Sequence, residues 1–567
     1  MVMRSGKTDS PASASVSNPS GIVGRILDID QTSVRLRDAS VAFREGVIEQ
    51  VRNESTEAPQ SYLDFGASRV VMPAFLDPHA HTEVSSRALS TMVDCRVPKC
   101  KSVDDVLQTL RDGIADIRGT DTWLRAQANL FFNQKLSDRR YPTRTELDSV
   151  SRTVPIAVHA GGHSTLLNTR AMELADVLRF SRGAGAMGRA VVEVGSDGSP
   201  TGLVSEIDSF LPIVDPLEID NEQVLVDGCR SLYTRYGVTV VGDISGSPAG
   251  TSLLAKLADE GRIPQRLQMF ICAPGTLPFA DALEAKRVLG INSRRADIRG
   301  VKVFADGGFS SRNAATLTAY RAPHALRPGS KGRLNLRRPE LAHQLRETSA
   351  ADLQMLVHAN GERAQVAIVE VAAAQSTRLP VRVEHAGNLL TQRSAVGDWR
   401  RAGIEPVVQP GFLYNFGDFF PTYLGPAASR GRFPFSYLLS QGFELAGSSD
   451  VYVGAEDAQT NPFFNIWCSM ARTTFNGHRI ETSEALDFSA AVRMHTINAA
   501  RALNLDNQYG SISVGKDADV IVLDRNPVGL SADSMLDIRV DFVYVAGRLV
   551  YARAGAEPPR VTAPATF

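Results

Sequence analysis

The 567-residue sequence predicts an α/β protein: a (β/α)8 TIM barrel with a large insertion after strand 1 and a small β-sandwich domain composed from both termini. Eight short apolar runs recur through the centre of the chain with helical stretches between them, which is the pattern of a parallel sheet. Short β-like segments occupy both ends and indicate one composite domain from residues 21–69 plus 507–555. About 150 residues separate the first run from the second, and a span of that length must carry its own structure.

The eight apolar runs are assigned to the barrel strands in chain order. Eight strands with intervening helices favour a closed barrel over an open parallel sheet. We therefore place the barrel at residues 70–506 and the insertion at residues 82–237. The predicted strands are Val70–Leu76, Val238–Asp243, Arg266–Ile271, Gly300–Ala305, Gln354–His358, Val381–His385, Glu405–Gln409 and Glu444–Gly447.

Composition and charge exclude several classes of protein. Lys and Arg number 61 against 62 Asp and Glu, and a net charge of -1 excludes electrostatic binding to nucleic acid or a membrane surface. Five cysteines without a C-x-x-C pair argue against a disulfide framework and a cysteine zinc site. Residues 1–20 lack the apolar segment of a secretory signal and are predicted to be a disordered leader, and no apolar run approaches the roughly 18 residues of a membrane span. We expect a cytoplasmic homodimer that acts on a small molecule.

The sharpest local feature is Asp77-Pro78-His79-Ala80-His81, directly after an apolar strand. In an extended chain, side chains two residues apart point to the same side, so His79 and His81 can converge on one ion. Imidazole is a common zinc ligand, but H-x-H is a short pattern, and a polar loop with two chance histidines is the alternative.

Further candidate ligands stand where other predicted strands end. His358 and His385 end the fifth and sixth strands, and Asp450 follows the eighth. Barrel enzymes build their sites at this rim. Four histidines and an aspartate supply nitrogen and oxygen donors suited to Zn²⁺ or a similar divalent cation.

Lys302 lies inside the apolar fourth strand. A buried ammonium is costly without a partner, and the pKa of a lysine falls readily on burial. One interpretation is an ion pair with Asp306 or another acid. The other is a neutral amine that has taken up CO2, giving a carbamate whose two oxygens bridge two metal ions.

These motifs resemble the amidohydrolase superfamily and, within it, amidohydrolase family 3, which includes the YtcJ-like proteins and N-substituted formamide deformylase. The matching stretches run from about residue 70 to 525 in the family's order. They are Val71–His81, Gly162–Ser164 with Asn168 and Ala171, Val301–Gly307, His358–Ala364, Glu384–Ala386, Gln409–Pro410, Ser449–Asp450 and Gly510–Asp519.

The resemblance implies a metal-containing barrel that hydrolyses amide or similar C–N bonds. By that resemblance His79 and His81 bind the more buried metal ion, and His358 and His385 bind the second. Lys302 becomes a bridging carboxylated lysine, and Asp450 becomes both ligand and base. His163 matches the family's substrate-side segment in the insertion, which would cap the barrel mouth.

Two positions depart from the family's fifth-strand motif His-Ala-Ile-Gly-Asp-Arg-Ala. This chain has Asn360 and Glu362 there, so the loop beside His358 is expected to differ in shape or role. The spacing of His358 and Glu362 and the presence of Lys302 disfavour a purine-type deaminase.

The expected reaction is hydrolysis by a hydroxide held on one or two divalent ions, with Asp450 moving a proton from water to the leaving amine. His163 is expected to bind the developing oxyanion or a polar substrate group. Asp306 shares a strand face with Lys302 and is expected to orient ligands or contact substrate, and Gln409 is a further candidate for substrate binding. The alternatives are a metal-dependent deaminase or isomerase, a cyclic amidase, and a catalytically silent binding homologue.

An N-acyl or N-formyl amide is the preferred substrate class, with cyclic amides, carbamates and esters open. Aromatic residues after strands seven and eight are enough to bind an apolar or aryl amine portion, and ordinary packing beneath a lid is the alternative. They are Phe412, Tyr414, Phe416, Phe419, Phe420, Tyr423 and Trp467.

Overall fold

The computed structural model describes most of the chain in nine ranges. They are residues 19–53, 61–115, 117, 122–178, 191–195, 197–206, 211, 221–322 and 328–562. The predicted leader, residues 1–20, lies outside these ranges except for its last two residues. No helix within the described ranges has the length and apolar character needed to cross a membrane.

Eight parallel strands form the central barrel, and each pairs with its neighbours in chain order. Asp450 N–H donates to the carbonyl of His79 over 2.9 Å, and this bond joins the end of the last strand to the end of the first. The predicted fold class is therefore confirmed. Barrel strands 1 to 8 are Phe75–Ala80, Val238–Ile244, Arg266–Cys272, Ala296–Phe304, Gln354–His358, Val381–Glu384, Ile404–Val408 and Ala446–Gly447.

Helices connect the barrel strands along the chain. Their starts follow local chemistry: Ser247 caps the first of them ahead of Pro248, and Asn461 accepts a hydrogen bond from Phe463 N–H. The helices are Pro248–Asp259, Phe279–Leu283, Ala285–Leu289, Arg338–Ala350, Glu362–Ala373, Val396–Arg401, Pro410–Phe416, Phe420–Leu424, Phe435–Ser440, Pro462–Ala471, Phe488–Met494 and Ile497–Ala502. Short 3-10 turns are Thr234–Tyr236, Arg393–Ala395, Ala427–Ser429, Thr482–Glu484 and Asp533–Asp537.

The first predicted strand, Val70–Leu76, was assigned wrongly as a single barrel strand. Val70–Pro73 pairs antiparallel with Val520–Leu523 in another sheet, and barrel strand 1 begins only at Phe75. The break lies at Ala74, whose N–H bonds to Asp519, whereas Phe75 N–H bonds to Gly237. Val70–Pro73 and the pair Phe75 and Leu76 are all buried and apolar, so the pattern of hydrophobic residues does not distinguish the two sheets.

Strands from both ends of the chain form one nine-stranded sheet. The side chains of the two ends pack together, with the Phe65 ring 5.5 Å from Phe542 and 6.2 Å from Tyr544. The division of the chain into domains stays a prediction, although this sheet continues past the proposed boundary at residue 70. The strands are Gly21–Ile29, Val34–Arg44, Val47–Asn53, Tyr62–Asp64, Val70–Pro73, Val520–Leu523, Val540–Val545, Arg548–Ala552 and Arg560–Val561.

The insertion carries its own six-stranded sheet and helices, as its length predicts. Capping boxes start two of the helices, one from Ser102 and Asp105 and one from Thr143 and Glu146. The strands are Val93–Asp94, Leu124–Ala128, Ile156–Ala160, Ser164–Leu167, Val191–Val194 and Pro200–Ser205. The helices are Thr82–Thr91, Val103–Ile114, Phe132–Lys135, Arg144–Val150, Thr169–Leu174 and Asn221–Leu232.

The insertion lies against the loop that follows barrel strand 8. Glu456 of this loop accepts hydrogen bonds from Asn129 over 3.0 Å and from the Lys135 ammonium over 2.7 Å. The contact with the insertion requires glycine at position 454, because a Cβ there would lie 1.9 Å from the carbonyl oxygen of Ala128. These contacts place the insertion at the mouth of the barrel, beside the residues that end its strands.

Candidate metal centre and active site

A cavity of about 240 Å³ opens at the carboxyl-terminal ends of the barrel strands. Seven of the nine predicted site residues line it, and Asp306 and Gln409 are not among the lining residues. The seven are His79, His81, His163, Lys302, His358, His385 and Asp450.

Asp450 is the point on which three imidazoles converge. One of its carboxylate oxygens lies 3.3 Å from His79 Nε2 and 3.4 Å from His81 Nε2, and the other lies 3.7 Å from His385 Nδ1. Ligand atoms of His79, His385 and Asp450 all lie within 4.8 Å of one another. Nitrogen and oxygen donors at this separation fit a divalent cation such as Zn²⁺, so the residues present suit the metal that the sequence implies.

Behind His79 is an acid that sequence analysis did not select as a site residue. His79 Nδ1 contacts Glu384, whose other oxygen accepts a 2.8 Å hydrogen bond from Arg382 Nε. Arg382 also donates to the carbonyl oxygen of Pro78 over 2.8 Å, and its side chain is fully buried. When the imidazole is neutral and Nδ1–H donates to this carboxylate, Nε2 carries the lone pair that faces the cluster. The available signal was the alternation of Arg382 and Glu384 with valines in one apolar strand.

Gln409 supports His385 from behind and lies outside the cavity wall. Its carbonyl oxygen is 2.9 Å from His385 Nδ1, and its amide donates to Ser448 Oγ over 2.9 Å. The side chain is fully buried. Its predicted role in substrate binding stays a prediction, and this position suits the orientation of His385.

Asp306 holds loops together at the edge of the site. Its carboxylate accepts hydrogen bonds from the N–H groups of Ala315, Asn360 and Gly361 over 2.7–2.9 Å. His358 Nε2 lies 3.6 Å from the same carboxylate. Burial raises the pKa of Asp306 to about 7.

His358 is held mainly through its Nε2 atom. The carbonyl oxygen of Gly307 lies 3.3 Å away and the Asn360 carboxamide lies 3.2 Å away. Asn388 in turn donates to Asn360 over 2.7 Å. Asn360, one of the departures from the family motif, therefore lies in the cavity wall and contacts a predicted ligand.

Lys302 extends into the centre of the barrel with its ammonium 3.4 Å from His79 Nε2. Its side chain is buried, and burial lowers its pKa. The ion pair with Asp306 that the sequence left open is not formed, because Asp306 pairs with backbone N–H groups instead.

Burial sets the charge of the ligand cluster. It lowers the pKa of His81 to about 4 and that of His385 to about 3, so both imidazoles are neutral near pH 7. Burial acts to raise the pKa of Asp450, but the neighbouring His79, His81 and His385 outweigh it and hold that pKa well below its usual value. Neutral imidazoles beside an ionised carboxylate are the protonation states that metal ligation requires.

Two of the clustered residues have a left-handed backbone, with φ of 65° at His385 and 45° at Asp450. A left-handed conformation costs about 1–3 kcal/mol at a residue other than glycine and is found at functional sites. His385 directly follows barrel strand 6, and Asp450 lies in the loop after barrel strand 8, so this backbone conformation helps to turn both side chains toward the common centre.

His163, which the insertion contributes to the cavity wall, contacts Glu206. The two carboxylate oxygens lie 3.1 and 3.2 Å from His163 Nδ1. Glu206 is a cavity residue that sequence analysis missed, because 43 residues separate it from His163.

The remaining cavity wall is largely apolar. Phe412 and Phe416 line it as predicted, together with Leu130, Phe131 and Phe309. The other predicted aromatic residues pack behind the wall: Phe419 lies 5.1 Å from Phe131, Phe420 lies 4.6 Å from Phe309, and Tyr414 lies 5.8 Å from Trp467.

A (β/α)8 barrel with such a histidine and aspartate cluster at its carboxyl-terminal rim is typical of metal-dependent barrel enzymes. The chain belongs to the amidohydrolase family, whose sequence model matches residues 67–551. The family expected from the sequence is thus confirmed.

Two curated relatives and one solved structure resemble nearly the whole chain. N-substituted formamide deformylase of Arthrobacter pascens is 27% identical over 518 residues, covering 88% of this chain and 91% of the relative. Protein LONG AFTER FAR-RED 3 of Arabidopsis thaliana is 27% identical over 590 residues, covering 95% of this chain and 93% of the relative. An uncharacterized metal-dependent hydrolase from Pyrococcus horikoshii OT3 has the same fold, with a TM-score of 0.67, 21% identity, and coverage of 90% of this chain and 98% of that chain.

We expect the buried, neutral imidazoles of the cluster to lower the stability of the metal-free protein as the pH falls from 7 to 5. His81, His385 and His358 have lowered pKa values in the folded state, so the unfolded chain binds more protons below its ordinary histidine pKa of about 6.5. His79 acts in the opposite direction, because the charges of Glu384 and Asp450 raise its pKa despite burial and the nearby Lys302. This opposing effect comes from one histidine, against three. Each lowered histidine costs about 1.4 kcal/mol per pH unit below 6.5.

Urea unfolding of chelator-treated protein at the two pH values measures this difference. Burial raises the pKa of Asp77 to about 6 and those of Asp243, Asp306 and Glu405 to about 7, so these carboxyl groups take up protons in the folded state and act in the opposite direction. The contribution of one imidazole is therefore the difference between wild type and His385→Gln, which lacks that titrating group. A variant that loses as much stability as wild type between pH 7 and pH 5 would contradict the assignment of a neutral, buried imidazole at His385.

Proposed function

We propose that this chain is a metal-dependent hydrolase that cleaves the C–N bond of a small amide, with an N-acyl or N-formyl amide as the preferred substrate class. The observation that carries the proposal is the convergence of His79, His81 and His385 on Asp450 in a cavity at the barrel mouth. The resemblance to a deformylase over most of both chains supports the choice of an amide.

The ligands divide between two neighbouring positions. His79, His81 and Asp450 would hold one cation, and His385 and His358 would hold a second, since their rings lie 4.6 Å apart. Zn²⁺ is the proposed metal. One or two such cations, when bound, lower the pKa of a water molecule toward neutrality and polarise the substrate carbonyl.

Asp450 is the proposed base. Its carboxylate is ionised and lies at the centre of the cluster, where it can take a proton from the attacking water. A C–O bond then forms at the carbonyl carbon, the C–N bond breaks, and the same proton passes to the leaving amine. His163 faces this centre from the insertion and would contact a polar group of the substrate.

The apolar wall indicates the rest of the substrate. Phe131, Phe309, Phe412 and Phe416 give the cavity an aromatic wall, and Phe412 stacks on His385 with ring centroids 6.0 Å apart. Such a wall favours an amine portion that is apolar or aryl. A cytoplasmic location and a homodimer remain our predictions.

The experiment is a metal analysis combined with a substrate panel. Protein purified without chelators, with zinc and bicarbonate supplied, is expected to hold about two ions per chain and to release amine from N-formyl or N-acetyl amides of aryl amines. Release of ammonia instead would replace the amide hydrolase with a deaminase. Absence of bound metal after reconstitution would overturn the proposed function and leave a binding homologue.

A further inference from the structure

A carboxylate and an imidazole form a pair in the insertion, where both side chains line the cavity. His163 precedes the strand Ser164–Leu167, and Glu206 follows the strand Pro200–Ser205. The two strands are antiparallel neighbours in which Ser164 lies opposite Ser205, and Glu206 N–H donates to the carbonyl oxygen of His163. Sheet pairing therefore places the two side chains next to each other.

Glu206 is anchored from the barrel as well as from the insertion. Its Oε1 atom accepts hydrogen bonds from Gly308 N–H over 3.3 Å and from Ser311 Oγ over 3.1 Å. Both donors belong to the loop after barrel strand 4, the strand that carries Lys302. The carboxylate is therefore fixed relative to the proposed metal ligands and not only to the insertion.

Two adjacent glycines leave the space that the pair occupies. A Cβ on Gly308 would lie 2.6 Å from two ring carbons of His163, and a Cβ on Gly307 would lie 2.8 Å from the Oε1 atom of Glu206. Distances below 3.0 Å require the neighbour to move. The Gly307-Gly308 sequence is thus matched to the position of both side chains.

We propose that Glu206 is a positioning residue, which fixes His163 through Nδ1 so that the opposite edge of the ring, with Nε2, binds the amide of the substrate. A carboxylate on Nδ1 determines which ring nitrogen meets a ligand. The His163 ring lies 5.7 Å from that of His358, and both line the cavity, so a substrate between the insertion and the cluster meets that edge. This proposal rests on the proposed function.

The kinetic test is a double-mutant cycle on the zinc-loaded enzyme. Glu206→Gln keeps the size of the side chain and removes its charge, and kcat/KM is expected to fall about 10- to 100-fold, as for other residues that orient a functional histidine. In a His163→Ala background the same change is expected to have almost no further effect, because both act through one contact. Glu206→Asp is expected to recover part of the loss, and metal content is expected to stay at the wild-type level.

Glu173→Gln is the matched control, since this acid also belongs to the insertion but its side chain is 63% exposed. Gly308→Ala tests the same contact from the other side and is expected to lower kcat/KM with Glu206 intact. Full activity in Glu206→Gln, or an undiminished loss in the His163→Ala background, would overturn the proposal.

A crystal structure of Glu206→Gln separates this proposal from the proposed function. If the wild-type enzyme hydrolyses no amide, the proposed function fails, and the orientation of His163 still tests the positioning role. A ring that leaves its wild-type orientation supports the role, and a ring that keeps it overturns the role.

Discussion

Asp450→Asn is expected to abolish turnover while the protein stays folded. Asn keeps the shape of the side chain, but it cannot accept the proton that the attacking water must lose. The loss of a general base costs about 10²- to 10⁴-fold in rate, and the simultaneous loss of a ligand charge places this variant at the upper end of that range. The measurement is kcat/KM with the best amide of the panel, together with metal content and the midpoint of thermal unfolding.

Asp457→Asn is the matched control, because this residue belongs to the same loop and its side chain is 84% exposed. Arg96, the partner of Asp457, also pairs with Asp94 and keeps that contact in the variant, so activity is expected to remain. His79→Ala is expected to abolish turnover too, with loss of bound metal. Unchanged rates in metal-replete Asp450→Asn or His79→Ala protein would contradict the assigned roles.

The sequence predicts the rim of the barrel well because two independent patterns coincide there. Apolar runs locate the strands, and a histidine or an acid stands at or just after the ends of several of them, as at His358, His385 and Asp450. Strand polarity then brings these residues to one edge without any knowledge of loop structure.

The sequence does not reveal contacts made across long separations. Glu206 reaches His163 only through the pairing of two strands in the insertion, and nothing in the local sequence marks it. The break at Ala74 is hidden for another reason, since an apolar segment buried in the sheet from the chain ends resembles one buried in the barrel. Asp306 is a further example. Its spacing from Lys302 suggested an ion pair, but its carboxylate instead accepts hydrogen bonds from three backbone N–H groups.

Lys302→Ala is expected to reduce bound metal, with a loss of about one of two ions per chain. Burial lowers the pKa of the Lys302 amine, which favours the neutral form, and its Nζ atom lies 3.4 Å from His79 Nε2 at the centre of the cluster. A neutral amine adds CO2 by forming an N–C bond and releasing a proton. The resulting carbamate has two oxygens that share one negative charge, and they would lie between the proposed metal positions. Elemental analysis of wild type and variant, each loaded with zinc and bicarbonate, measures the effect.

The loss of bound metal in Lys302→Ala is not expected to result from unfolding of the variant. Burial of the Lys302 amine costs free energy that the variant does not incur, and this offsets the packing lost with the side chain, so the metal-free variant is expected to stay folded. Lys286→Ala is the matched control, since this lysine pairs with Asp297 at the surface and its side chain is 42% exposed.

Small carboxylic acids separate bridging from a purely structural role for Lys302. Formate, acetate or propionate can enter the space left by the side chain and present two oxygens in place of the carbamate, so part of the lost metal and activity is expected to return. Wild type loaded in CO2-free buffer is expected to resemble the variant, whereas Lys302→Ala is expected to be indifferent to bicarbonate. Full metal content in Lys302→Ala without any added acid would count against a bridge, because the four histidines and Asp450 would then hold both ions alone.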